Sequence, residues 1–174
     1  MKKTIENQYT DILNIGKIFD VEEKAQALVD EMKQEIEDAL AKTKGKEAQT
    51  VSVIEFLNDD ISNYGASSLA GDMITQLGGE LAAPDAKQVG KEDLVEQNPD
   101  VIFVVYMENS GDDGEDVKST CVAKVMEDPS FASLDAVKNG RVYPIMLGDM
   151  YASGARTIDG IRNFAAGLYP ELNQ

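Results

Sequence analysis

The sequence predicts a three-layer α/β fold, in which helices cover both faces of a mainly parallel sheet. Three segments rich in apolar and β-branched residues, 50–57, 101–106 and 141–145, have the length and composition of strands. Segments with helical spacing of apolar residues separate them, and strands that alternate with helices usually lie parallel. Because 43% of the 174 residues are apolar, the chain can bury one core of ordinary size.

Two helices are predicted before the first strand. The first contains Tyr9 and Ile12 and is expected to end at Gly16. The second is expected to begin at Asp20, whose side chain can accept hydrogen bonds from backbone amides, and to end at Gly45. Its apolar residues recur at spacings of three and four, and at 1.5 Å per residue it reaches about 35 Å. The residues of this apolar face are Ala25, Leu28, Val29, Met32, Ile36 and Leu40.

The predicted strands differ in how they should be covered. The segment 101–106, VIFVVY, is apolar without alternation, as expected for a strand buried on both faces. Pro144 lacks a backbone donor and therefore places the strand 141–145 near a sheet edge or ends it. A short fourth strand is predicted near 80–83. Further helices are predicted at 67–77, 91–97, 117–127, 131–138 and 155–168.

Charge and residue usage exclude several functions. The formal net charge of -16 would repel phosphate backbones, which argues against a nucleic-acid partner. Histidine is absent, and this excludes hydrolase triads and histidine zinc sites. The single cysteine, Cys121, has apolar neighbours and is expected to be a buried core residue. No apolar run approaches the ~20 residues that a membrane span needs.

The loops that follow the three strands should form one surface, since ligands of open α/β sheets bind beyond the carboxyl ends of the strands. These loops are 58–65, 107–115 and 147–156. The acidic run 108–116 lacks the order of oxygen ligands found in an EF-hand, so it is interpreted as a solvated loop without a metal.

The third loop offers three candidate ligand contacts. Met150 and Tyr151 present a thioether and an aromatic ring. Arg156 can clamp a carboxylate or catecholate with two parallel hydrogen bonds. In the alternative interpretation, Arg156 opens a helix and pairs with Asp159 at the surface.

Tyrosine and methionine also stand near the ends of the first two strands. Tyr64 precedes a predicted helix start and can stack on a flat ligand. Tyr106 and Met107 close the second strand, although tyrosine in this position is often a core residue. A tyrosinate or Met150 could ligate haem, but histidine, the usual haem ligand, is absent.

Two separated segments carry a resemblance to a known family. EDLVEQNPDVIFVVY at 92–106 runs from an acidic helix into a buried strand, and DPSFASLDAVKNGRVYPI at 128–145 runs from a helix into the next strand. In this order they resemble the C-terminal lobe of the ABC-transporter substrate-binding proteins that carry ferric siderophores, haem or cobalamin. Those proteins have two lobes joined by one long helix, and the resemblance extends over nearly the whole chain.

The resemblance implies a Rossmann-like C-terminal lobe at 46–174, a connecting helix at 20–45 and a segment, 1–19, that leads from an N-terminal lobe. It implies a non-catalytic importer component that binds its ligand between two lobes, uses no cofactor and delivers the ligand to the permease. Ferric siderophore is the first ligand expected, and haem or cobalamin the second. The full-length protein is expected outside the cytoplasm, periplasmic or membrane-anchored, although no export signal is readable here.

Permease docking has its own candidate residue. In the resembled proteins each lobe presents an acidic side chain to arginine pockets of the permease, and the matching residue here is Asp72. The family more often has glutamate at this place. In the alternative interpretation, Asp72 only complements the dipole of its own helix.

Two other functions stay open at this point. A small nucleotide-using α/β enzyme would need a phosphate-binding loop, yet no strand is followed by G-x-G-x-x-G or by G-x-x-x-x-G-K-[ST]. An interaction domain would form homodimers of the isolated lobe through apolar residues exposed along 25–40.

Overall fold

The computed structural model describes residues 3–43, 45, 47–58, 60–108, 114–151 and 156–173. The helices are α1 (Ile5–Ile18), α2 (Glu22–Thr43), α3 (Leu69–Gln76), α4 (Lys91–Gln97), α5 (Gly114–Met126), α6 (Asp135–Lys138), α7 (Leu147–Tyr151) and α8 (Arg156–Leu168). The strands are β1 (Thr50–Leu57), β2 (Asp60–Asn63), β3 (Glu80–Leu81), β4 (Val101–Tyr106) and β5 (Val142–Met146). Short 3₁₀ turns lie at Pro129–Phe131 and Pro170–Asn173.

The described strands form one mainly parallel sheet in the order β2-β1-β4-β5. The register pairs Val51 with Val101 and Ile102 with Val142, so β1, β4 and β5 run parallel and end at the same edge. β3 is parallel to the first residues of β1, whereas β2 is antiparallel to its last residues. The predicted α/β fold with a mainly parallel sheet is confirmed.

Two segments that were predicted as loops contain regular structure. Asn58 has a left-handed φ of 56°, and β2 then returns along β1 as the second strand of a hairpin. The predicted loop 147–156 begins with α7. The helix predicted at 131–138 is also corrected, because a 3₁₀ turn precedes the shorter helix α6.

α1 and α2 form an antiparallel helical hairpin. Asp20 ends α1 rather than starting α2: its φ is 54°, and the N–H of Val21 donates to the carbonyl of Gly16 at 2.9 Å, which is the C-terminal cap of Schellman type. The predicted helix start at Asp20 is therefore wrong, and α1 continues past Gly16. A Cβ at Gly16 would lie 2.5 Å from the Cβ of Ala25, so glycine permits the close approach of the two helices.

Both faces of the sheet bury apolar side chains. The larger core lies between the sheet and α1, α2, α3, α7 and α8, and the smaller core between the sheet and α4, α5 and α6. Alternation along β1 sends Val53 to the larger core and Ile54 to the smaller one. The three predicted layers follow directly from this division.

The apolar face of α2 is covered within the chain. Ala25, Val29, Met32 and Ile36 are all buried in the larger core, and Leu40 is 40% exposed. The exposed stripe expected along 25–40 is therefore wrong. Apart from Leu40, the exposed large apolar side chains of this hairpin lie at or near its turn, and they are Ile15, Ile18, Phe19 and Val21.

Arg162 of α8 forms two ion pairs with α2. Its Nε and Nη2 donate to Oε1 of Glu35 at 2.9 and 2.7 Å, and Nη2 also donates to Oε1 of Glu31 at 2.8 Å. Solvent screens these exposed groups, so they fix the orientation of α2 more than they stabilise it.

The division of the chain after residues 19 and 45 stays a prediction. No described helix has both the length and the apolar character needed to cross a membrane.

Candidate functional site

The carboxyl ends of β1, β4 and β5 form an open edge of the sheet, which we call the carboxyl edge. Large apolar side chains face solvent there: Leu57 is 47% exposed, Met107 54% and Tyr151 57%. Exposed apolar groups concentrated in one place are typical of a binding surface. Two cavities open at this edge, and Tyr106 lines both of them.

The β1–β2 hairpin changes the position of Tyr64. Its N–H donates to the carbonyl of Val53 at 2.9 Å, so Tyr64 lies beside the middle of β1 rather than beyond its end. Its hydroxyl donates to Oε2 of Glu55 at 2.6 Å. Burial and this hydrogen bond raise the pKa of the Tyr64 phenol above 10.0. Tyr64 therefore reaches the carboxyl edge through Glu55, which lines one of the cavities.

Met150 and Tyr151, two neighbouring candidates for ligand contact, lie on opposite sides of the helix α7. Met150 is 1% exposed and belongs to the larger core, so the prediction that it faces a ligand is corrected. Leu147 packs against the same core from three residues earlier, which is one helical turn. Tyr151 lies on the outer side and is exposed, and its contact with a ligand stays a prediction.

Arg156 is the first residue of α8 and extends over the outer side of α7. A Cβ at Gly148 would lie 2.9 Å from Nη1 of Arg156, so glycine leaves room for the guanidinium. Within the described part of the chain Arg156 forms no ion pair with Asp159, the partner in the alternative interpretation. Arg156 instead lines a cavity of about 450 Å³.

This first cavity contains charges of both signs. Asp149, which is only 8% exposed, accepts a long hydrogen bond of 3.4 Å from Nδ2 of Asn163. Burial raises the pKa of the Asp149 carboxyl, and the positive charge of Arg156 opposes that rise. Lys118 and Glu108 also line this cavity. The cavity can therefore bind a polar or charged group.

The second cavity is less polar and measures about 380 Å³. It lies between the ends of β1 and β4 and the helix α5, with Phe56, Leu57 and Met107 in its wall. Cys121 also lines it, but its Sγ donates to the carbonyl of Lys118 at 3.1 Å, and burial raises the pKa of the thiol. The expected buried, structural cysteine is confirmed.

Asp72 is buried under α1 and is 7% exposed. Its Oδ2 accepts a hydrogen bond of 2.8 Å from the N–H of Ile5, the first residue of α1. The positive end of the helix dipole and an unpaired amide at this place both favour a carboxylate. Burial, Glu6 and Asp72 together raise the pKa of Tyr9 to about 12. The Asp72 carboxylate thus faces α1 rather than solvent, and its role in docking stays a prediction.

Three groups near the site were not singled out from the sequence. Glu55 accepts a hydrogen bond from the hydroxyl of Tyr64, and Asp149 is buried beside Arg156. The third group is Lys3, whose Nζ lies 3.7 Å from the centre of the Tyr151 ring. Glu55 lies near the end of β1, on the same face as Val51 and Val53, which are buried in the larger core. A charged residue at this place interrupts the apolar pattern, and this interruption could have identified Glu55 as a site residue from the sequence. Lys3 carried no such signal.

Metal binding by the protein itself has no support in the described residues. No group of three or more cysteine, aspartate or glutamate side chains among them is placed to hold an ion. Residues 109–113 of the acidic run lie outside the described part of the chain, so its interpretation as a solvated loop is not tested.

The chain is similar to bacterial binding proteins of about twice its length. An uncharacterised ABC transporter substrate-binding lipoprotein of Bacillus subtilis, YvrC, is 31% identical over 169 residues, which cover 94% of this chain and 50% of the relative. The crystal structure of a periplasmic binding protein from Veillonella parvula superposes with a TM-score of 0.89 at 29% identity, over 98% of this chain and 52% of that one.

A third relative has a named ligand. The petrobactin-binding protein YclQ of Bacillus subtilis superposes with a TM-score of 0.72 at 26% identity, over 94% of this chain and 59% of that protein. A family model described as periplasmic binding protein matches residues 2–146, which is most of the chain. The chain therefore belongs to the periplasmic binding protein family.

Proposed function

We propose that this chain is the ligand-binding C-terminal part of a substrate-binding protein that serves an ABC importer. The observation that carries the proposal is the open carboxyl edge, with its two cavities and exposed apolar groups, in a chain that belongs to a family of binding proteins. The protein holds its ligand and does not transform it. The nucleotide-using enzyme is not favoured by this family membership.

The ligand that fits the carboxyl edge best is an anionic ferric chelate. Arg156 offers a planar cation to oxygen ligands, and Tyr151 offers an exposed ring for stacking. Met107 and Tyr106 supply apolar surface between the cavities. The carboxylate of Glu55 is already hydrogen-bonded to Tyr64, which lessens its repulsion of an anion. Haem and cobalamin are the next candidates.

The partner of the whole protein is the transmembrane permease of the importer. The binding protein itself functions on the outer side of the cytoplasmic membrane. Support comes from the curated relative, which is a lipoprotein of an ABC transporter. Since the chain spans about half of that relative, a second lobe would face the carboxyl edge. We expect this chain alone to bind weakly, because half of the contacts are then absent.

Equilibrium dialysis of the 174-residue chain tests this proposal. The probes are an anionic iron(III) tris-catecholate, an uncharged iron(III) trihydroxamate, haem and cobalamin. We expect the tris-catecholate to bind, and Arg156→Ala to weaken its binding about tenfold, since a charged hydrogen bond is lost.

The matched control is Lys138→Ala, which removes one positive charge from α6, where Lys138 pairs with Asp135. It should leave binding unchanged. If none of the four probes binds, or if Arg156→Ala and Lys138→Ala weaken binding equally, the proposal is refuted.

A further inference from the structure

The segment that leads into α1 is fixed beside the carboxyl edge. The N–H of Lys3 donates to the carbonyl of Ser67 at 3.3 Å, and the N–H of Ile5 donates to buried Asp72 at 2.8 Å. Between them, Thr4 caps α1 by accepting a hydrogen bond from the N–H of Asn7 at 3.2 Å. The backbone of Lys3 therefore has a defined position even though its side chain is exposed.

The side chain of Lys3 extends to the outer side of α7. Its Nζ lies 3.7 Å from the centre of the Tyr151 ring, a close cation–π contact. Tyr151 as a whole residue is 57% exposed, which leaves both groups accessible to a ligand.

Lys3 and Arg156 lie along the same side of α7. Lys3 contacts Tyr151, and the guanidinium of Arg156 lies over Gly148. Gly148 and Tyr151 are three residues apart in one helix and are therefore neighbours on its surface. Two cations thus border one short stretch of exposed helix.

Both cations are available to a ligand. Among the described residues, neither Lys3 nor Arg156 forms an ion pair, whereas Lys91, Lys118 and Arg162 are each held by an acidic side chain. This contrast matters in a chain whose net charge is -16, because acidic groups are abundant enough to neutralise most cations.

We propose that Lys3 is a ligand-binding residue, which joins Arg156 in holding the anionic oxygens of a ferric catecholate chelate. Tyr151, held beneath the Lys3 ammonium, stacks on a catechol ring of the same ligand. This inference rests on the proposed function, and it adds a residue from outside the strand-end loops to the site. Charge selectivity of the site then depends on a segment that precedes the lobe.

Binding of two iron probes to Lys3→Gln and Lys3→Arg tests this role. For the iron(III) tris-catecholate we expect Lys3→Gln to weaken binding about threefold to tenfold at low ionic strength, and less in high salt, because screening weakens the attraction of partly exposed charges. Lys3→Arg should bind the tris-catecholate like the unmodified chain. For the uncharged iron(III) trihydroxamate neither substitution should change affinity.

Lys33→Gln is the matched control, since Nζ of Lys33 lies 5.1 Å from the centre of the Tyr9 ring on the α1–α2 hairpin. It removes the same charge and the same kind of contact, and it should not change binding. Loss of affinity for both probes in Lys3→Gln would indicate a structural role only and would overturn the inference.

These measurements distinguish an error in the role of Lys3 from an error in the proposed function. If the tris-catecholate binds and Arg156→Ala weakens it while Lys3→Gln does not, the inference about Lys3 is overturned and the proposed function stands. If the unmodified chain binds none of the iron probes, both are overturned. Thermal unfolding of each variant excludes loss of the fold as the cause.

Discussion

At the amino edge of the sheet, where β1, β4 and β5 begin, several polar side chains form hydrogen bonds within the protein. At the carboxyl edge, polar side chains face open cavities instead. Thr50 donates to Oδ2 of Asp100 from both its N–H and its hydroxyl at 2.8 Å, and the N–H of Asp100 donates back to Oγ1 of Thr50 at 3.1 Å. Arg141 donates to the carbonyl of Leu168 at 2.8 Å and to Gln49.

The carboxyl edge lacks such closed networks in the described residues. Asp149 is buried and has one long hydrogen bond, and neither Arg156 nor Lys3 forms an ion pair with a described acidic side chain. Polar groups that are not satisfied internally reduce stability but are available to a ligand. The amino edge therefore stabilises the fold, and the carboxyl edge retains the capacity to bind.

The largest expected effect is at the amino edge. Asp100→Ala removes the acceptor of two hydrogen bonds and should lower the free energy of unfolding by about 2 to 3 kcal/mol. Urea unfolding followed by circular dichroism measures it. Asp159→Ala, an exposed aspartate at the carboxyl edge, is the control and should change stability by less than about 0.5 kcal/mol. Equal losses at the two edges would contradict the comparison.

Substitution of Asp72 shows whether a carboxylate that caps a helix stabilises the fold as the carboxylate of Asp100 does. Asp72→Ala leaves the buried N–H of Ile5 without its partner and should cost about 1 to 2 kcal/mol. Hydrogen exchange should accelerate in the first turn of α1. Asp11→Ala, on the exposed side of α1, is the control. Unchanged protection at Ile5 to Tyr9 would show that Asp72 does not hold this helix.

Gly148→Ala sharpens the comparison by changing binding without changing the core. The added Cβ would lie 2.9 Å from Nη1 of Arg156 and should displace the guanidinium, which is the end of a flexible side chain. Affinity for the iron(III) tris-catecholate should fall about threefold, while alanine in a helix keeps the fold stable. Dialysis and urea unfolding measure the two quantities. A large loss of stability with unchanged affinity would reverse the interpretation.

The smallest expected effect is a gain of stability at Asp149. Burial raises the pKa of this carboxyl in the folded state, so its ionised form disfavours folding at neutral pH. Asp149→Asn should therefore raise the free energy of unfolding by about 0.5 kcal/mol at pH 7, after discounting for screening by solvent.

The gain at Asp149 should disappear as the pH falls below the ordinary value of 3.8, where the carboxyl is protonated in both states. Urea midpoints at a series of pH values measure this. An equal gain at all pH values would exclude ionisation as the cause. Asp100→Asn gives the contrast, because it should destabilise the chain at pH 7.

Patterns that extend over several residues were predictable from the sequence. β1 and β4 were predicted at their observed bounds because their apolar, β-branched runs are buried on both faces. The helix predicted at 67–77 is observed as α3, which Ser68 caps and Gly78 follows with a φ of 82°. These elements depend on neighbours along the chain.

Short elements and contacts between distant residues were not predictable. β2 has four residues and α7 has five, too few for a hydrophobic period to appear. The hydrogen bond between Ile5 and Asp72 joins residues 67 apart, and nothing local in either segment indicates it. The candidate site depends on such contacts, so Tyr151 and Arg156 could be named from their types but Lys3 could not.

The pairing of Arg162 with Glu31 and Glu35 joins α2 to the helix that carries Arg156. α8 begins with Arg156 at the carboxyl edge and carries Arg162 six residues later, so both arginines belong to one helix. The helix that carries the candidate ligand contact Arg156 is therefore also the helix against which α2 is oriented.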